Sequence, residues 1–436
     1  MTNIDELQTT CIAGRVRWRL ALPCILFMLM SSLDRSNISF AASAMNADLG
    51  FSPSQYGFGA GVLFAGFLLG QYPSLWLLQR AGMRRWMASC ALLWGLAAAC
   101  LGLIEGHAQF YVLRVVIGIA EGGLAPGIVL YLSQFTTERE RATTFAMPAL
   151  AVPASVILGA PLSGWLLGLH HDGLQIANWR LMFIAEAVPT ILLGVGALLY
   201  FPDTPAEARF LAEDQRRWLM ANAARRADAP RRNDWSVLRQ PIVVLAGLLW
   251  FCLLCGSYGV IFWLPQVIGA LTGLGPLAIG VVGSLPWVGV AIGMYWNARH
   301  SDRTGERYWH VAVPALCAAL LLLAAWGLGP IAATLVLLLL AGLGLGSAQG
   351  GFWAIPTQLL SPAGFSVAVV GINILGSAGG FVMPQLMGIA REHSGGFALP
   401  TMLVVSVLLA AVALVGAIRW LYRRELAALA ASAPPG

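Results

Sequence analysis

The chain reads as an all-α polytopic membrane protein with twelve transmembrane helices in two pseudo-symmetric six-helix bundles. Three observations carry that expectation. Of its 436 residues, 58% are hydrophobic and 11% charged, where a soluble domain carries about a quarter charged residues. The apolar runs are long: Val311 to Leu345 is interrupted only at Gly327 to Pro330. One long polar segment, 201–240, separates six such runs from six others. Lipid requires every backbone polar group to be satisfied within the protein, so only helices or a closed barrel can cross it. A barrel would show short strands of alternating polarity, and none are present here.

Each span follows from the same rule of about 20 apolar residues per crossing. Span 1 (19–44) starts after Arg15, Arg17 and Arg19 and runs through Asp34 and Arg35. No small-residue cleavage site follows its first apolar stretch, Leu20 to Met30, so it is expected to stay as a span and not act as a signal peptide. Spans 2 (55–79) and 3 (84–104) flank a turn reading Gln79-Arg80-Ala81-Gly82-Met83-Arg84. Span 4 (108–132) contains Arg114 and Glu121; span 5 (142–169) ends near His170, His171 and Asp172; span 6 (179–200) stops before Pro202. The polar segment opens on Pro202, Asp203 and Pro205 and then predicts an amphipathic, arginine-rich helix over 206–226. Spans 7 (241–268) and 8 (276–298) follow, then a second tight turn, Asp302-Arg303-Thr304-Gly305-Glu306-Arg307. Spans 9 (309–327) and 10 (331–353) divide at the Gly–Pro break, and spans 11 (364–390) and 12 (397–420) complete the second half. The domains expected are therefore 1–200, a central loop 201–240, and 241–436. Gly342, Gly346 and Gly350 recur every four residues, a pattern of close helix packing.

All 26 basic residues are arginines, and they set the orientation. With both termini cytoplasmic, the cytoplasmic segments hold most of them, including eight in the central loop, and the opposite side keeps only Arg180 and Arg391. The expected location is the plasma (inner) membrane. The net charge of +6 is accounted for by these loops, and nothing points to nucleic acid. Of the seven cysteines, Cys252 and Cys255 alone have C-x-x-C spacing, and their apolar setting suits helix packing better than metal binding. No metal or cofactor is expected.

A charge at bilayer depth costs several kcal/mol, so such residues face a cavity and carry function. Asp34, Arg35, Arg114 and Glu121 meet that description. Arg114 and Glu121 stand two helical turns apart on one face, roughly 10 Å along the axis, with Gly118 between them and expected to leave open space. The pair suits a cavity where arginine attracts an anion and glutamate carries a proton. Opposite them, Tyr258, Trp353 and Asn373 are candidate substrate contacts from spans 7, 10 and 11, with Phe67 in span 2; Trp353 equally suits an interfacial aromatic belt. Asn373 is notable because an unpaired amide in lipid is costly. Glu186 is read as a packing residue.

The two turns resemble the loop signature Gly-x-x-x-Asp-Arg-x-Gly-Arg-Arg of the major facilitator superfamily. The second keeps Asp302, Arg303 and Gly305; the first keeps Arg80 and Gly82 but has Leu75 and Gln79 for its glycine and aspartate. Longer segments resemble the anion:cation symporter family, especially tartrate- and phthalate-type carriers. They include Leu33-Asp34-Arg35-Ser36-Asn37, Gly118-Ile119-Ala120-Glu121-Gly122, Phe262-Trp263-Leu264-Pro265-Gln266 and Phe352-Trp353-Ala354-Ile355-Pro356. The resemblance implies Asp34 and Glu121 in proton coupling, Arg35 and Arg114 in anion attraction or gating, and the two turns as a cytoplasmic gate. The expectation is a proton-coupled symporter, monomeric, that imports a small organic carboxylate. Val152, Val156, Phe67 and Phe352 suggest apolar walls, favouring an aromatic or lightly hydroxylated acid over a sugar acid. The rivals are a proton-coupled exporter of the same fold and an intramembrane enzyme using Ser163 with His170 or His171. A receptor without transport is also compatible.

Overall fold

The computed structural model describes residues 12, 14–136, 151–169, 176–227, 234–327, 331–360 and 362–432. Apolar runs with no internal helix breaker become helices because lipid leaves the backbone no other partner. Helix α1 spans Gly14–Leu49, and Pro53–Leu101 holds two helices, α2 before Gly82 and α3 after it. Helices α4 (His107–Leu132), α5 (Ala151–Leu167) and α6 (Asn178–Tyr200) follow. Helix α7 (Glu213–Ala227) lies in the polar segment. The second set is α8 (Pro241–Thr272), α9 (Pro276–Thr304), α10 (Trp309–Gly327), α11 (Ala332–Leu359), α12 (Val367–Ser394) and α13 (Ala398–Ser432). Every helix but α7 is an apolar crossing, which makes twelve among the described residues. The amino-terminal part of predicted span 5, 142–150, and His170, His171 and Asp172 lie outside the described residues.

The polar-segment helix begins later than predicted. Residues 205–207 form a 3-10 turn, and the helix proper starts at Glu213. Pro205 fits the first position of that short turn. The later start is fixed locally by the Gln215 side chain, which accepts the Ala212 N–H at 3.2 Å. This is half of a capping box, with Glu213 and Asp214 in the first turn favoured by the helix dipole.

The chain divides into two compact units, Met1–Met45 with Val62–Pro230, and Asn46–Gly61 with Arg231–Gly436. Residues 46–61 group with the second unit because the backbone of α2 packs there directly on α12. A side chain at Gly57 or Gly61 would crowd the carbonyls of Pro384 or Phe381. Tyr56 also donates its hydroxyl to the Phe262 carbonyl at 2.9 Å.

Within each unit one helix pair is joined through glycines. In the first, side chains at Gly66 and Gly70 of α2 would collide with the Val115 and Ile119 carbonyls of α4, and at Gly118 and Gly122 with those of Leu63 and Phe67. In the second, Gly289 and Gly293 of α9 face Leu339 and Leu343, while Gly342 and Gly346 of α11 face Pro286 and Val290. Counted back from the turn glycines Gly82 and Gly305, Gly66 and Gly70 stand where Gly289 and Gly293 stand. Small residues that let backbones approach are the usual adhesive between helices in lipid. The expected packing role of Gly342, Gly346 and Gly350 is what the structure shows, and the same device recurs in the first half. It also corrects the reading of Gly118, which leaves no open space: the Leu63 carbonyl occupies it.

Exposed tryptophans gather at the arginine-rich helix ends: Trp18, Trp76, Trp296, Trp309 and Trp420. Arginines stack on several of them, with Arg80 4.4 Å from the centre of the Trp76 ring and Arg419 5.2 Å from that of Trp309. An aromatic belt beside basic residues marks a membrane interface. The two arginines of the sparse side are structural. Arg180 donates to the carbonyls of Gly102 and Ile104 just past the end of α3, at 3.2 and 2.9 Å. Arg391 donates to Gln266 at 3.2 Å and lies 3.9 Å from the centre of the Phe397 ring.

Candidate functional site

The charged side chains predicted in spans 1 and 4 converge inside the first unit. Arg35 of α1 donates from Nη2 to Glu121 Oε2 of α4 at 3.0 Å. Glu121 is fully buried and the Arg35 side chain is 16% exposed. The same Nη2 reaches Ser31 Oγ, one turn back on α1, at 3.3 Å. Aromatic faces from α2 flank the guanidinium, whose carbon lies 5.5 Å from the Phe67 ring centre and 5.8 Å from that of Phe64. Phe67 thus belongs to the site through the arginine it cradles. Arg114, two turns before Glu121, is wholly buried.

Asp34 precedes Arg35 and points elsewhere. Its Oδ2 accepts the Trp94 indole N–H of α3 at 2.9 Å and the Thr190 hydroxyl of α6 at 3.1 Å. Successive residues on a helix diverge by about 100°, so Arg35 faces α4 while Asp34 is held behind it. A third carboxylate is buried nearby. Glu186 of α6 accepts from Asn37 Nδ2 of α1 at 2.9 Å and from Ser163 Oγ of α5 at 2.6 Å. The expected packing role of Glu186 understates this, since it ties three helices together through hydrogen bonds. The Ser163 hydroxyl, which an intramembrane enzyme would need as its nucleophile, is a donor to that carboxylate.

In the second unit the expected site residues are polar or aromatic rather than charged. Tyr258 of α8 is half-buried and stacks on Phe262, with ring centres 6.0 Å apart. Asn373 of α12 is half-buried, and no hydrogen bond to its side chain is found among the described residues. Gln349 of α11 donates to the Ser257 hydroxyl of α8. Sequence reasoning missed this pair, although a glutamine in an apolar span is the same signal that drew attention to Asn373. Trp353 is half-buried against Trp250 and Phe352, at 5.4 and 5.1 Å between ring centres. Phe352 is fully buried and stacked on Trp250, so it belongs to the core and not to an apolar substrate wall. Val156 is likewise buried, while Val152 is exposed.

The two turns differ in their anchors. Gly82 and Gly305 both take positive φ, 81° and 69°, a conformation that favours glycine. In the second turn Asp302 pairs with Arg307 at 2.6 Å, and Arg303 lies in the last turn of α9. In the first, where Gln79 replaces the aspartate, Asp203 accepts the Arg84 N–H at 2.9 Å and abuts Gly82. The carboxylate missing from the loop is supplied from beyond α6.

The described residues give a multi-pass membrane protein with ionisable groups held at depth. Its sequence matches the profile of the Major Facilitator Superfamily over residues 24–384, and the chain belongs to that family. A "Putative tartrate transporter" of Agrobacterium vitis is 36% identical over 90% of this chain and 91% of its own. A "Quinolone resistance transporter" of Acinetobacter baumannii is 31% identical over 88% and 89%. Among solved structures, a D-xylose-proton symporter superposes with a TM-score of 0.74 at 16% identity, covering 91% of this chain and 97% of its own.

Proposed function

We infer that the protein is a proton-coupled symporter that imports a small organic carboxylate by alternating access, as a monomer with both termini cytoplasmic. The observation that carries this reading is the buried Arg35–Glu121 ion pair. A carboxylate substrate competes with Glu121 for the guanidinium, which grips carboxylates through two parallel hydrogen bonds. Glu121 is then a buried carboxylate without its counter-charge, a state costing several kcal/mol, and taking up a proton relieves it. Substrate and proton therefore bind cooperatively, and linkage makes the effect reciprocal. Arg114 adds positive charge on the same helix. Asp34, held by neutral donors only, is a second protonatable group. Tyr258, Asn373 and Trp353 are the proposed substrate contacts of the second half, and Arg80, Gly82, Asp302, Arg303 and Gly305 the cytoplasmic gate. Tartrate in the names of two relatives from Agrobacterium vitis supports the carboxylate class.

Glu121→Gln keeps the shape and removes the titration. In proteoliposomes it should lose accumulation of substrate driven by a pH gradient while retaining exchange of labelled for unlabelled substrate. Full proton-driven accumulation by this variant would refute the coupling role. A proton-coupled exporter is the second reading, favoured by the relative from Acinetobacter baumannii. Direction separates the two: an importer accumulates substrate in right-side-out vesicles energised with an inward proton gradient, and a proton-exchanging exporter accumulates it in inverted vesicles that are acidic inside.

A further inference from the structure

A second charged site lies in the first unit, at the arginine-rich membrane face and away from the buried ion pair. The start of α1, the end of α6 and the turn before α7 enclose a cavity of about 770 Å3 whose lining includes Arg19, Arg84, Arg209, Arg216 and Glu207. The one carboxylate is already matched, since Glu207 pairs with Arg84 at 2.6 Å. Among the described residues no carboxylate lies within ion-pair distance of Arg19, Arg209 or Arg216. Arg216 is anchored by its Nη1, which donates to the Ala206 carbonyl at 3.1 Å, while its Nε is buried without a hydrogen-bond partner. Three guanidiniums thus converge on one cavity with a buried donor still to be satisfied.

Its position narrows the ligand. Trp18 and Tyr200, exposed on α1 and α6 beside the cavity, are residues of the membrane interface. Lipid phosphates lie at that level, and basic pockets between helices there hold acidic head groups. We propose that this cavity binds a phosphate group, delivered by the head group of an anionic phospholipid, with Arg19, Arg209 and Arg216 as its ligands. Bound there, the lipid ties the first crossing to the sixth and to the turn before α7.

The test is native mass spectrometry of the full-length protein released from micelles that contain phosphatidylglycerol and phosphatidylcholine in equal amounts. The side chains of Arg19 and Arg209 make no hydrogen bond to a described residue, so Arg19→Gln with Arg209→Gln should fold. Wild type should retain phosphatidylglycerol in preference to phosphatidylcholine. The double variant should lose about 25-fold in that retention, at about fivefold for each arginine near an anionic surface. Arg423→Gln with Arg424→Gln, in α13, should keep it. A second arm adds inorganic phosphate and follows the thermal midpoint. If phosphate stabilises wild type but not the cavity variant while lipid retention is equal in both, the phosphate site stands and a soluble ligand fills it. Equal lipid retention in both proteins without a phosphate effect overturns the proposal, as does an equal loss in the α13 variant.

Discussion

Arg35 is bound to a carboxylate and flanked by two aromatic rings, and lysine could reproduce neither contact in full. An ammonium is a point charge without the planar fork that grips a carboxylate or stacks on a ring. Arg35→Lys should therefore raise the substrate concentration at half-maximal uptake about tenfold or more, the equivalent of one lost charge-assisted hydrogen bond at about 1.5–3 kcal/mol. Uptake kinetics equal to wild type would make the arginine a structural residue. Glu186 invites the opposite comparison. Glu186→Ala leaves the Asn37 amide and Ser163 hydroxyl buried without their acceptor, at about 1–3 kcal/mol for each group. Its thermal midpoint should fall by several degrees, whereas Glu186→Gln keeps an acceptor and should fall less. Equal midpoints would show that the three-helix junction does not depend on this side chain. The four membrane-embedded charges were legible in the sequence because lipid makes each of them expensive. Their pairing was not. Helical spacing relates residues of one helix, so it associated Arg114 with Glu121, while the partner that closes on Glu121 arrives from α1.

At the scale of elements, the glycine contacts make a quantitative demand on sequence. Gly118→Val in α4 and Gly342→Val in α11 should each abolish recovery of folded protein, since the obstructing atoms are backbone carbonyls that cannot step aside. Gly196→Ala in α6, with nothing within 4 Å, should be tolerated, and comparable yields from all three would contradict the packing. The turn between α9 and α10 carries a pH signature. Glu306 lies outside the membrane and is held below the usual carboxylate range. Partial burial opposes that shift, but the Trp309 and His310 N–H groups and the His310 ring outweigh it. A lowered value means stabilisation that is present above the ordinary glutamate range, about pH 4.3, and fades as pH falls through the lower folded value. Wild type should exceed Glu306→Gln in thermal midpoint at pH 7, and the gap should close on acidification. A gap that widens in acid would reverse the sign. The order and place of the crossings were readable from bilayer thickness, but not every length: α1, α9 and α13 run past the expected 19–44, 276–298 and 397–420. The start of α7 was not readable either, because the turn at Pro205 and the Gln215 cap set it locally.

Across the whole molecule, the second half repeats the helix order of the first without the charges that α1 carries at the matching positions. Ser257 and Tyr258 stand as far before Gly305 as Asp34 and Arg35 stand before Gly82. On the proposed function, coupling then resides in the first half and substrate preference is tuned by polar and aromatic groups of the second. Competition assays address the substrate class. With Phe352 and Val156 in the core, Phe67 beside Arg35 and the half-buried Tyr258 and Trp353 are what remains of the expected apolar lining; on these, benzoate-like and phthalate-like acids should displace a bound carboxylate better than gluconate-like ones, and the reverse order would assign the site to a polyhydroxylated acid.

The glycine contacts between α2 and α4 have a mechanical consequence. Two backbones meshed carbonyl against Cα behave as one stiff beam, because neither can slide without climbing over the other. Phe64, Phe67 and Glu121 all ride on that beam, so their mutual geometry is fixed. Breaking the ion pair is therefore left to α1, which carries Arg35 and, near its start, the π-helical turn Arg17–Ala21, a local fault in winding. On the proposed function, the moving part of the latch would be the first helix, and the second and fourth together the frame it closes against.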